Sequence, residues 1–296
     1  MNQALRVTLA KRKAEAFLRE EGIESLPVDP FAIASSQDII VKPKPDADAG
    51  ISGMLLRHGD VFGILYATHI QSEGFQRFSI AHELGHYFLD GHIDYVLPKG
   101  SQVHTSHAGF VSGDPYELEA DNFAAGLLMP DRPFKRALEK CEPGLATVES
   151  MGNLCRTSLT ATAIRYAELT DDAVAVVVST GLTIDYCRLS ETMKSLRELT
   201  WPRKGCAVPM KTATAQLNRY PNRVERADRA AEEIDIMDWL GGVRSVKAQE
   251  EVVSLGGYGI TLTVLICPSI QDQIDEEQDN DDEVSLIERW TPRFRR

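Results

Sequence analysis

The chain has 296 residues, 43% hydrophobic and 26% charged, with a formal net charge of -12. That leaves room for one large domain or two to three small ones with an ordinary globular composition. No apolar run approaches the ~18 residues needed to cross a bilayer, and the N-terminus lacks the apolar stretch of a secretory signal. Eight acidic residues stand together in "DQIDEEQDNDDE" (272–283), and the mildly acidic remainder disfavours a nucleic-acid-binding surface.

In chain order, residues 3–21 read as a charged amphipathic helix. In "LPVDPFAIASS", Asp29 is placed to cap a short helix that opens with Pro30. "DIIVKPKP" reads as a strand ended by prolines, and the two apolar runs around "RHGD" as a β-hairpin. "SEGFQRFSIAHELGHYFLDG" is the strongest helix, with Phe75, Phe78, His82, His86 and Leu89 at helical spacing and Gly91 as its stop. Residues 92–115 lack periodicity and read as a loop, with a short strand at "AGFVS". Helices follow at "PYELEADNFAAGLLM", "PFKRALEKC", "ATVESMGNLC" and "SLTATAIRYAEL".

Beyond Asp171 the runs "DAVAVVVST", "CAVPMKTA", "EEVVSLGG" and "GITLTVLICP" are strand-like, with charged helical stretches near 190–199 and 222–239. The fold class expected is α+β with a C-terminal α/β domain. The expected divisions are 1–140, a helical helix-turn-helix-like segment at 141–170, the C-terminal domain at 171–270 and a solvated acidic tail at 271–296. The basic end "RWTPRFRR" could fold back on the acidic run. Five scattered cysteines with no C-x-x-C pair argue for reduced thiols in a cytoplasmic protein.

"HELGH" (82–86) matches H-E-x-x-H. At i and i+4 the two imidazoles share one helix face and can reach one cation, while Glu83 can address a water on it. These histidines lie on an apolar stripe, where unpaired imidazoles would be costly. A catalytic zinc wants three protein ligands and an open position. His92 is one candidate for the third ligand, but on a straight helix it lies about 80° off the His82 direction and ~15 Å along the axis. Glu117 is the better one. It sits on the buried margin of the helix that also carries Asp121 one turn on, where Asp121 could accept a second ring N–H from a ligand histidine. Glu119 lies about 200° from Glu117, on the opposite face, and reads as solvent-facing. Two histidines and a carboxylate also suit manganese or iron.

"LPVDPFAIA", "RFSIAHELGHYFL" and "ELEADNFAAGLLMP", in this order and spacing, resemble the ImmA/IrrE family of zinc metallopeptidases, most strongly over residues 10–135. The resemblance implies a zincin-like domain: a small antiparallel sheet, the H-E-x-x-H helix and a Glu-bearing helix. It implies His82, His86 and Glu117 as zinc ligands and Glu83 as the catalytic glutamate. Asp121 stands where many members carry Asn, and either accepts a hydrogen bond. The expected mechanism is Glu83-assisted attack of zinc-bound water, with Tyr95, Tyr116, His104 or His107 as candidate oxyanion donors. His58 and His69 read as surface residues.

The family further implies a protein substrate, a helix-turn-helix transcriptional repressor. The alternative is a zinc-containing regulator that sequesters a partner without cutting it. Residues 131–170 hold six basic and five acidic side chains, so the helix-turn-helix-like segment lacks a phosphate-binding face and reads as structural or docking.

Overall fold

The structure is a computed structural model that describes residues 2–44, 50–107, 113–196, 199–242 and 245–267. The acidic run, the basic end and the "AGFVS" strand expectation lie outside these residues. Within the described residues, no helix is long and apolar enough to cross a membrane. The chain divides into two compact units, one of Met1–Glu142 with Ala146–Arg165, the other of Pro143–Leu145 with Tyr166 onward.

The first unit opens with α1 (Gln3–Glu20), whose Ala10, Ala14 and Leu18 face the core. Helix α2 (Pro30–Ser36) starts as its sequence dictates: the Asp29 carboxylate accepts the Phe31 N–H at 3.0 Å and Pro30 occupies the first turn. Strands β1 (Ile40–Lys44), β2 (Ile51–His58), β3 (Val61–Ala67) and β4 (Val103–His107) form a sheet in the order β1-β3-β2-β4. The β2–β3 pair is the expected hairpin. The sheet is mixed rather than antiparallel, because β1 runs parallel to β3.

Helices α3 (Glu73–Phe88) and α5 (Pro115–Leu128) carry the two motif segments. Between them the expected loop holds two elements, α4 (His92–Val96) and β4. Gly91 is left-handed, with φ 78°, so the chain turns sharply after α3 and restarts as α4. "VHTSH" has no apolar alternation, yet it becomes a strand because β2 offers a paired edge. Helices α6 (Asp131–Leu138), α7 (Leu145–Cys155) and α8 (Leu159–Leu169) follow, and the division between the units falls within α8.

The second unit is built on a five-stranded sheet of β5 (Val174–Thr180), β6 (Thr183–Leu189), β7 (Arg229–Asp235), β8 (Lys247–Ser254) and β9 (Ile260–Ile266), ordered β6-β5-β9-β8-β7. All its pairings are antiparallel, so this part is α+β and not the expected α/β. Short helices α9 (Glu191–Ser195), α10 (Ala213–Asn218), α11 (Pro221–Glu225) and α12 (Met237–Leu240) accompany it. Val174–Val178 and Thr261–Ile266 are buried throughout, the pattern of strands covered on both faces.

Two expectations fail here. "CAVPMKTA" contributes only an isolated bridge between Thr183 and Ala207, since Pro209 removes a donor and Thr212 caps α10. The helical reading of 222–239 holds only at its ends, in α11 and α12, and its middle is strand β7. Its Ala and Glu residues favour helix, but pairing along β8 overrides that propensity at an exposed edge.

Candidate metal centre

The site arises where α3 meets α5. Ser72 caps α3 by accepting the Phe75 N–H at 3.3 Å, and the helix then holds His82 and His86 one turn apart. Asp114 caps α5 by accepting the Tyr116 N–H at 2.8 Å, with Pro115 in the first turn. The helices approach closely because Gly85 has no side chain. A Cβ there would stand 3.0 Å from the Ala120 Cα. This brings Glu117 onto the two histidines.

His82 Nε2 lies 3.1 Å from His86 Nε2 and 3.2 Å from a Glu117 oxygen, and His86 Nε2 lies 3.4 Å from the other Glu117 oxygen. The three residues form a group able to hold a metal ion. Donors set at zinc–ligand distances in a tetrahedral array are about 3.3 Å apart, so the triangle has the right size. Its chemistry fits as well. Asp121 takes up His82 Nδ1 at 2.8 Å. An ionised carboxylate only accepts, so His82 carries a proton on Nδ1, and Nε2 is the atom left to take a cation, be it a proton or a metal ion. Lone pairs and carboxylate oxygens facing one another at these distances call for a cation.

The charge balance says the same. Burial lowers His82, but its hydrogen bonds to Asp121 and Glu117 and the Glu83 charge outweigh this and lift it to about 10. Burial wins at His86, which falls to about 4. Burial would raise Glu117, yet hydrogen bonds from His104, His82 and His86 hold it well below the usual carboxylate range. The ion-free pocket therefore favours one positive charge, at His82 beside the Glu117 carboxylate, and disfavours a second on His86.

Glu83 is fully buried beside the triangle, and burial raises its pKa against the opposing influence of His82, Ser106 and His104. Among the described residues neither carboxylate oxygen completes a hydrogen bond of good geometry. It fits because strand β2 has Gly53 there: a Cβ would sit 2.6 Å from Glu83 Oε1. Ser106 is the β4 partner of Gly53.

Of the other residues singled out in the sequence, His104 reaches the group, with Nε2 3.2 Å from Glu117 Oε1. Tyr95 bonds Asp114 at 2.9 Å and stacks on Tyr116 at 3.8 Å, while His107, His58 and His69 are exposed. His92 is not in the triangle. It lies behind His86, Nδ1 to Nδ1 at 3.1 Å. Glu119 does occupy the face away from Glu117, yet it is not solvent-facing: it pairs with His92 and with Arg6. Sequence reasoning missed this contact and the role of Gly53. A glycine inside a strand does signal close approach of something to the backbone, and that cue was available.

Residues 34–146 match the family model of the IrrE N-terminal-like domain, peptidase family M78. The chain carries an M78 domain. The matched segment contains the four-stranded sheet, His82, Glu83, His86, Glu117 and Asp121, and leaves α1 outside. No curated protein sequence gives a significant match. Among solved structures, a Mycobacterium tuberculosis transcriptional regulator superposes with a TM-score of 0.56 at 15% identity, covering 87% of this chain and 76% of that one. At that identity the likeness is one of fold. The M78 domain implies a metallopeptidase, in keeping with its His/His/Glu group.

Proposed function

We propose that the protein is a zinc-dependent endopeptidase that cleaves a regulatory protein, a helix-turn-helix transcriptional repressor. The observation that carries the catalytic part is the His82/His86/Glu117 triangle with the buried, unpaired Glu83 carboxylate beside it. His82, His86 and Glu117 would hold the ion, and Asp121 orients His82. Zinc bound there would acidify a water and polarise a peptide carbonyl.

Glu83 takes a proton from the attacking water and passes it to the leaving amine. Its desolvation favours this role, because a carboxylate raised toward neutrality both accepts and returns a proton. His104, the one of the four expected donor candidates that touches the group, is assigned to the developing oxyanion. The repressor substrate is supported by the motif resemblance, the M78 domain and the fold shared with a protein described as a transcriptional regulator. A cytoplasmic location follows from such a substrate.

The test compares new protein N-termini, by mass spectrometry, in source cells carrying either the wild-type chain or Glu83→Gln, with and without DNA damage. Zinc content is measured in both proteins. N-termini that depend on Glu83, in a helix-turn-helix protein and at equal zinc content, are expected. Equal zinc and no Glu83-dependent N-terminus under any condition would favour sequestration of a partner.

A further inference from the structure

We infer that His92 and Glu119 form a relay that fixes the tautomer of His86 and so prepares its Nε2 as a metal ligand. The inference rests on the metal-centre reading above and adds residues to it that the ligand triangle does not include. His86 Nδ1 is 3.1 Å from His92 Nδ1, and His92 Nε2 is 3.2 Å from Glu119 Oε2. The far Glu119 oxygen is ion-paired with Arg6, whose guanidinium lies over the Tyr116 ring at 5.0 Å.

The proton positions follow from the end of the chain inward. A carboxylate paired with arginine only accepts, so His92 carries its proton on Nε2. A neutral His92 protonated there presents a bare Nδ1 to His86. Two ring nitrogens can share a hydrogen bond only if one brings the proton, so His86 is protonated on Nδ1. Its Nε2 is then a lone pair aimed at His82 and Glu117. His82 reaches the same tautomer by one direct bond to Asp121. The left-handed turn at Gly91 is what returns His92 to the back of His86.

His92 and Glu119 act here as positioning residues. The full-length protein is titrated with zinc against a competing chelator, and the hydrogen-bonded ring nitrogens of the zinc-loaded protein are observed by NMR. His92→Phe removes the acceptor and is expected to weaken zinc about 10–100-fold. His92→Gln, whose amide oxygen can accept the same proton, is expected to recover most of that loss. A merely space-filling His92 would favour Phe over Gln. In the wild type, a nitrogen–nitrogen scalar coupling across the His86 Nδ1 to His92 Nδ1 hydrogen bond is expected, with the His92 proton on Nε2. Unchanged zinc affinity in a folded His92→Phe protein overturns the relay. If that variant does not fold, the wild-type coupling decides: its presence supports the relay and its absence overturns it. A wild-type chain that binds no zinc overturns the metal reading itself, a result separable from loss of the relay alone.

Discussion

Glu83 illustrates how one missing side chain shapes the chemistry. Its carboxylate is held against β2 in space that any Cβ at position 53 would enter, 2.6 Å from Oε1. Gly53→Ala should therefore push the carboxylate aside without touching a metal ligand. A displacement of about 1 Å in a reacting group costs on the order of 10²-fold in rate. The expected outcome is a fall of that size in cleavage rate at unchanged zinc content, measured on the substrate that the N-terminal comparison identifies. Equal loss of zinc and activity would mean that the strand, and not Glu83, had moved.

Between elements, two glycines of the first unit set helix spacing, and they should fail differently. Gly85 lets α3 and α5 close over Ala120, whereas Gly126 lets α1 close on α5, where a Cβ would meet the Lys11 carbonyl at 2.9 Å. Gly85→Val should lower zinc affinity although position 85 holds no ligand, because Glu117 is drawn away from the histidines. Gly126→Ala should cost about 1–3 kcal/mol of stability through overpacking and leave zinc affinity largely intact. Chemical denaturation and chelator competition on both variants separate the two effects. The same logic explains β4. No alternation marks it as a strand, and it exists because β2 has an edge to pair, which is how His104 and Ser106 come to the site.

At the scale of the whole first unit, α7 and most of α8 fold with the M78 domain although the family match ends at residue 146. Arg165 from α8 donates to the Met129 carbonyl at 2.9 Å and pairs with Asp131 and with Glu15 of α1. This clamp ties α8 to α1 and to the turn before α6. Burial and the neighbouring Asp131 raise Glu15 from 4.5 to about 7, with Arg165 opposing. A carboxyl whose folded pKa is raised binds its proton more tightly when folded. Stability is therefore greatest below about pH 4.5 for this group, falls as pH rises toward 7, and stays reduced above it. Glu15→Gln mimics the protonated form, so it should raise Tm by a few degrees above pH 7 and leave it unchanged near pH 4. A stabilisation independent of pH would place its origin elsewhere.

What the sequence determined by itself is what depends on spacing within one helix or one turn. His82 and His86 share a face because they are four residues apart. Glu117 and Asp121 do so for the same reason, and Asp29, Pro30 and the "RHGD" turn announce their elements through local hydrogen bonds and fixed φ angles. Tertiary structure decided whatever required two distant segments to meet. Gly53 lies against Glu83, His104 beside Glu117, and His92 between His86 and Glu119. Strand β7 is a strand only because β8 lies next to it. Local propensity differs by tenths of a kcal/mol per residue between conformations, whereas a paired edge or a buried polar partner is worth about 1 kcal/mol or more. Where the two disagree the neighbour wins, and the neighbour is not written in the adjoining residues.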